Sequence, residues 1–245
     1  MGSGAGSCAS TTGSMCGRIT LTSPPKVVAS TFGIEDCSGL QPRWNIAPSQ
    51  QVFVVLGDAA AGLPGRRFES MRWGLVPSWV KDASNGPTPI NARAETIAEK
   101  PSFRGAFRRR RCLVPADGFY EWQAAPSGKG LKQPYHIGFR DRQVFAIAGL
   151  WETWRAAPDA AELRTFTLLT TSPNRLMATI HHRMPVILPQ ESWDCWLDSS
   201  IDGQGRLEPL LRPCADDEMV ARPVSLLVNN ARHDAPDCLE EGASE

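Results

Sequence analysis

Six short stretches of this chain hold reactive or polar side chains inside sequence that otherwise reads as strand or turn. They are MCGR (15–18), WNIAP (44–48), MRWGLVPSW (71–79), PINARAET (89–96), ADGFYEW (116–122) and TIHHRMP (179–185). Among the groups they supply are a thiol (Cys16), a carboxylate (Glu121), two imidazoles (His181, His182), a carboxamide (Asn91) and the guanidinium groups of Arg18, Arg93 and Arg183. A thiolate is a nucleophile, and a carboxylate and an imidazole of near-neutral pKa are suitable proton carriers. Each residue also has a plain structural reading. Asn91 could cap a helix that follows it. Glu121, between Tyr120 and Trp122, could lie on the wet face of a half-buried strand; His181 and His182 could be a surface pair; Arg183 could be a solvated charge. The placement of the thiol is the oddity. Met15-Cys16 opens the first stretch able to pack, behind MGSGAGSCASTTGS, whose small residues lack the apolar content to offset the entropy of ordering.

Positioning such groups is the task of strands more than helices. QVFVVL (51–56), FESMRWGLV (68–76), CLVPADGFYEW (112–122), PYHIGF (134–139), VFAIAGLWE (144–152), FTLLTT (166–171) and MPVIL (184–188) are rich in β-branched and aromatic residues and bounded by turn residues. Pro101-Ser102 reads as a helix start with Phe103, Ala106 and Phe107 on one face; NRLMATI (174–180) and PQESWDCWLD (189–198) are two further helices. GDAAAGLPGRR (57–67) and AAPSGKGLKQ (124–133) read as surface loops. No long β-α-β alternation appears, which argues against a doubly wound sheet. The expectation is an α+β single domain, with mainly antiparallel strands in a barrel-like core and short peripheral helices. It spans residues 15–232, between an extension (1–14) and an acidic flexible tail (233–245).

Composition narrows the classes. Hydrophobic residues are 42% and charged residues 21% of 245, ordinary for a soluble globular chain. No apolar run approaches the ~18 residues that span a bilayer, and the N-terminus lacks the charged and apolar regions of a secretory signal. Seven cysteines (8, 16, 37, 112, 195, 214, 238) make an odd count without CxxC spacing. That argues against a disulfide framework or a zinc ribbon, and no metal or other cofactor is expected. The net charge of zero conceals an asymmetry: residues 1–122 carry 14 Lys+Arg against 9 Asp+Glu, residues 123–245 carry 12 against 17. Arginine makes up 21 of the 26 basic residues. It suits forked contacts to phosphate, although a GC-rich genome enriches it equally well.

Taken in order, MCGR, NIAP, RWGLVPSW, INARAET, FRxxFxxRRCLVPADGFYEW and IHHRMPVIL resemble the SOS response-associated peptidase family, the abasic-site processing proteins. The resemblance runs from about residue 15 to 235 and includes ARPVSLLVNN (221–230). It implies that Cys16 becomes the first residue of the mature chain, carrying a free α-amine beside its thiol. Their reference pKa values are ~7.7–8.0 and ~8.5, so both reactive forms exist near neutral pH. A 1,2-aminothiol is matched to an aldehyde: the amine forms an imine and the thiol closes a five-membered thiazolidine. Well-oriented ring closures reach effective molarities of order 10⁵–10⁸ M. The ring-opened sugar of an abasic site supplies the aldehyde.

The resemblance also implies roles by position. Glu121 is the acid/base, His181 assists ring opening and imine chemistry, and Asn91 orients the amine or sugar. Arg18, Arg93 and Arg183 hold phosphates, and Trp73 and Pro48 offer faces to bases of single-stranded DNA. His182 departs from the Asp or Asn commoner at its place. Arg108 to Arg111 could be a DNA track or a solvated helix end. A monomeric bacterial cytoplasmic protein is implied, nucleoid-associated when acting, with peptidase and lyase-type activity and no membrane partner. Residues 1–14 depart from the family pattern, as an over-called start, an expression tag or a segment removed by self-processing at Met15-Cys16. The other enzyme class is an N-terminal-nucleophile amidohydrolase, which also begins Met-Cys-Gly; it leaves FYEW and IHHRMP without a task. A DNA-binding module without chemistry leaves Cys16, Glu121 and His181 unexplained.

Overall fold

QVFVVLG, which buries Val52, Val54, Val55 and Leu56, and RRFESMRW, which buries Met71 and Trp73, form a hairpin of β3 (Gln51–Gly57) and β4 (Arg66–Trp73), paired from Gln51↔Arg72 to Gly57↔Arg66. The protein is described by a computed structural model covering residues 16–57, 65–125, 127, 130–202 and 205–242. The expected extension 1–14, residues 58–64 of the first expected loop and residues 126, 128 and 129 of the second lie outside those residues. From the hairpin the sheet continues through β6 (Arg111–Ala116) and β9 (Phe145–Trp154) to β10 (Leu163–Thr171), and β10 returns to pair in parallel with β4. That last pairing closes a five-stranded ring, which settles the barrel-like α+β expectation. Val54, Met71, Trp73, Leu113, Ile147 and Phe166 are buried in its core. Two short strands, β11 (Met184–Pro185) and β12 (Ile187–Leu188), extend β10 and β9. They replace the single expected strand 184–188. β5 (Asn91–Arg93) lies parallel to β10.

The second sheet is antiparallel and five-stranded, in the order β13 (Met219–Pro223), β8 (Gln133–Phe139), β7 (Gly118–Gln123), β1 (Ile19–Leu21), β2 (Arg43–Ile46). The expected single strand 112–122 is thus two strands in two sheets. The corner is Asp117, whose carboxylate accepts hydrogen bonds from Thr20 Oγ1, from the backbone N–H of Thr22 and Ser23, and from both of their hydroxyls. A buried carboxylate so satisfied holds a bend that alternation along the strand does not report. FESMRWGLV likewise ends early, at Trp73, because Gly74 has φ +123°, a conformation nearly closed to other residues.

Helices are short and peripheral. α2 (Arg104–Arg109) and α4 (Trp193–Leu197) cover β6, where Trp196 Nε1 donates to Cys112 O. α3 (Arg175–Ala178) is capped by Asn174, whose side chain accepts from Met177 N. α1 (Pro25–Phe32) was not expected from the sequence; it buries Val28, Ala29 and Phe32 and stops at Gly33 in the left-handed conformation. The tail is corrected too. Residues 233–242 pack against the second sheet, with Cys238 fully buried beside Tyr120, Val224 and Val228. Asp234 accepts from Trp44 N and Asn45 N and pairs with Arg43. No described helix is long and apolar enough to cross a membrane.

Candidate functional site

Cys16 stands three residues before β1, at the seam between the barrel and the second sheet. β1 pairs with β7 through Ile19↔Phe119, and Tyr120 N donates to Arg18 O, so β7 runs beside the start of the described chain. This brings Glu121 against Cys16: Cys16 N donates to Glu121 Oε1 at 2.6 Å. Here the donor is the peptide nitrogen joined to residue 15; it marks the position an α-amine would take in a chain beginning at Cys16. From the barrel side, β5 presents Asn91, whose Nδ2 donates to Cys16 O at 3.4 Å. Past α3, His181 N is held by Met177 O, and its Nδ1 lies 3.9 Å from Glu121 Oε1. Arg183 N donates to that same Nδ1 at 3.2 Å. Four residues separated by as much as 165 positions, Cys16, Asn91, Glu121 and His181, therefore share one site.

Burial sets their proton affinities. Glu121 is 2% exposed, and desolvation pushes its carboxyl up to about 7 against the opposing pull of the Cys16 and Trp122 N–H groups. The Cys16 thiol is fully buried and lies well above its ordinary value, chiefly from burial and then from the Glu121 charge. His181 is lowered, again mainly by burial. The site thus holds a neutral thiol, a neutral imidazole and a carboxyl poised between its two forms at neutral pH, an arrangement suited to moving protons. Cys16 itself has φ +33°, an uncommon conformation for a residue with a side chain.

The surroundings divide the remaining expected residues. Arg93, on β5 two residues from Asn91, is exposed, and Pro48 is half-buried at the end of β2. Trp73 is 0% exposed, with Nε1 donating to Ile90 O and its ring stacked on Phe166; it has no face to offer a base. Trp79, in the segment that runs from β4 into Asn91, is 58% exposed instead. RWGLVPSW contains both indoles, and Gly74 and Pro77 between them were the signal that the second leaves the strand. Arg183 is not a free cation: it makes a bidentate pair with Glu95 at 2.5 and 2.8 Å and donates to Thr170 O. Arg18 is bracketed, Nη1 donating to Asn45 Oδ1 and Val228 O, with its guanidinium 5.8 Å from the Trp122 ring centre. In the run 108–111, Arg108 and Arg109 are exposed, Arg110 pairs with Glu152, and Arg111 is buried, donating to the carbonyls of Phe107, Arg108, Trp196 and Asp198. Lys132, exposed just before β8, draws down the pKa of both Glu121 and His181; nothing in its sequence surroundings marks it.

Residues 15–231 match the family described as SOS response associated peptidase (SRAP). The chain is 41% identical over 229 residues to the abasic site processing protein YoqW of Bacillus subtilis, covering 92% of this chain and 99% of that one. It is 33% identical over 226 residues to the abasic site processing protein HMCES of Gallus gallus, covering 81% and 66%. Among solved structures, a protein from Bacteroides thetaiotaomicron superposes with a TM-score of 0.80 at 26% identity, over 93% of this chain and 100% of the other.

Proposed function

The chain belongs to the SOS response associated peptidase (SRAP) family, and from that premise and the contact between Cys16 and Glu121 we propose that it processes abasic sites in single-stranded DNA in the response to DNA damage, by joining Cys16 covalently to the sugar. The observation that carries the reading is the 2.6 Å hydrogen bond from Cys16 N to a carboxyl whose pKa is about 7. A chain freed of the residues before Cys16 has an amine at that nitrogen. Glu121, with His181 behind it, delivers and removes the protons that open the sugar ring to its aldehyde. The amine then adds to the aldehyde carbon, and the carbinolamine loses water to give an imine. Finally the thiol adds across the C=N bond, its sulfur to carbon and its proton to nitrogen, closing a thiazolidine with one water lost overall. Asn91, bonded to Cys16 O, fixes the residue while this happens. Arg93 meets phosphates; Trp79 and Pro48 meet bases, Trp79 in the place first given to Trp73. Arg18 is held at both terminal nitrogens, Nη1 by Asn45 Oδ1 and Val228 O and Nη2 by Asn229 O at 3.4 Å, so a phosphate reaches it only by displacing that longer contact.

A second reading concerns the Met15–Cys16 bond. The positive φ of Cys16 is a strained geometry of about 1–3 kcal/mol that scission relieves. Glu121 lies against the nitrogen that would leave. Self-processing fits that arrangement: the Cys16 thiol attacks the Met15 carbonyl, Glu121 protonates the departing nitrogen, and water hydrolyses the thioester.

The test of the main reading is a denaturing gel of protein beginning at Cys16 incubated with single-stranded DNA carrying one abasic site. A heat-stable adduct is expected, and none with Cys16→Ala. Equally stable adducts from Cys16→Ala would remove the thiazolidine.

A further inference from the structure

Away from the candidate active site, three metal-ligating side chains of different chemistry converge. His233, Asp237 and Cys238 each offer one donor atom, and these atoms all lie within 4.8 Å of one another. We propose that His233 Nε2, Asp237 Oδ1 and Cys238 Sγ form a binding site for a thiophilic divalent cation, with Zn²⁺ the ion that suits them best. Nitrogen, oxygen and sulfur are zinc's own ligand set, and three protein ligands leave the fourth tetrahedral position to water.

The backbone beneath the three is held in place independently of any ion. Asp237 and Cys238 lie in the turn Pro236–Leu239, and His233 N is bonded to Asn230 O. His233 O accepts from Asn45 Nδ2 at 2.7 Å, and the intervening Asp234 is fixed on Trp44 N and Asn45 N. Cys238 is fully buried, while His233 and Asp237 are half-exposed, so an ion has a path to a thiol shielded from bulk oxidants. The donor atoms adjust in both senses, Cys238 Sγ closing on the other two from within 4.8 Å while those two part. His233 Nε2 and Asp237 Oδ1 are 2.7 Å apart as a hydrogen-bonded pair. Zinc bond lengths put tetrahedral ligands roughly 3.3–3.6 Å apart, so the two separate by less than about 1 Å as the ion enters between them.

The charge balance is explicit. A Cys238 thiol, a neutral imidazole and a carboxylate bind Zn²⁺ with release of the thiol proton, leaving the site neutral. Without an ion, burial keeps that thiol protonated, and it donates weakly to His233 O. The Asp237 and Asp234 charges raise the pKa of the thiol and Arg18 lowers it, so the surroundings are not cationic overall. The site escapes the usual reading of cysteine spacing because it pairs no two cysteines: its pattern is His-x3-Asp-Cys. Since Asn45 both accepts from Arg18 and donates to His233 O, the ion would stiffen the segment that brackets Arg18.

The test is a titration of the whole chain with Co²⁺ alone, read by the thiolate-to-cobalt charge-transfer absorption, followed by displacement with Zn²⁺. One Co²⁺ per chain with that band is expected. The band should be lost in Cys238→Ser and kept in Cys16→Ala and Cys214→Ser. His233→Asn, which leaves the buried thiol in place, should weaken binding by at least the ~10–100-fold that loss of an outer-shell partner costs. Zn²⁺ at 100-fold over its Kd should raise Tm by about 5–11 °C in the wild type and not in His233→Asn. Absence of the band, its persistence in Cys238→Ser, or its loss in Cys16→Ala would each overturn the site and leave the trio as a hydrogen-bonded turn.

Discussion

Glu121 shows how one side chain's surroundings decide its chemistry. On alternation within FYEW it reads as a charge on a wet face; between two sheets it is 2% exposed, with its pKa raised to about 7. A positioned acid/base is worth ~10²–10⁴-fold in rate. Glu121→Gln, which keeps shape but exchanges no proton, is expected to slow adduct formation on closed-ring abasic DNA by that factor. A substrate whose aldehyde is already open should restore most of the rate; wild-type rates on the closed ring would return Glu121 to a structural role. The same burial costs stability. Because the folded-state pKa lies above the ordinary carboxylate value, the folded chain holds this proton more tightly than the unfolded one. Its contribution is present below the ordinary range and is lost as pH rises through about 7. In the unprocessed chain, Glu121→Gln should therefore gain about 1–3 kcal/mol at pH 8 relative to pH 4.5 in denaturant melts. An equal effect at both pH values would mean that Glu121 is not titrating.

Elements explain which residues a sequence reading places correctly. The structure brings Cys16, Asn91 and His181 together, but β1, which follows Cys16, and β5, which opens at Asn91, are too short to be among the expected strands; only the helix before His181 carried a recognisable signal. Trp73 and Trp79 were confusable because both fall in one apolar stretch and only the turn at Gly74 separates them. Trp79→Ala is expected to lose about 1–3 kcal/mol of single-strand binding with stability nearly unchanged. Trp73→Ala should lose about 3–5 kcal/mol of stability from the cavity it leaves. Binding unaffected by Trp79→Ala would remove it from the DNA surface. The barrel strands were legible from β-branched runs. α1 was not, since PKVVASTF opens on Pro25 directly after Pro24, has no side-chain cap and carries adjacent valines. The packed tail was hidden by its acidic composition. What orders it is Asp234 on the backbone of β2, almost 190 residues away in sequence, and no local pattern reports such a bond.

At the scale of the whole molecule, charge steers binding. The excess of basic over acidic residues in 1–122 is the half that carries Cys16, Asn91, Arg93 and Glu121. Arg93→Ala should flatten the salt dependence of single-strand binding by about 0.7 in log–log slope, while Arg183→Ala, which breaks the pair with Glu95, should leave the slope alone and lower stability. The reverse pattern would exchange their roles.

Thiazolidine formation at Cys16 requires its nitrogen to be free. The decisive measurement is the intact mass of two purified forms, one beginning at Cys16 and one retaining Met15 and the residues before it, after each is incubated with abasic single-stranded DNA. The form beginning at Cys16 should appear at the sum of protein and DNA masses less one water, and the acylated form should remain folded and unadducted. A mass-verified acylated chain that forms the same adduct at the same rate would contradict thiazolidine formation at Cys16.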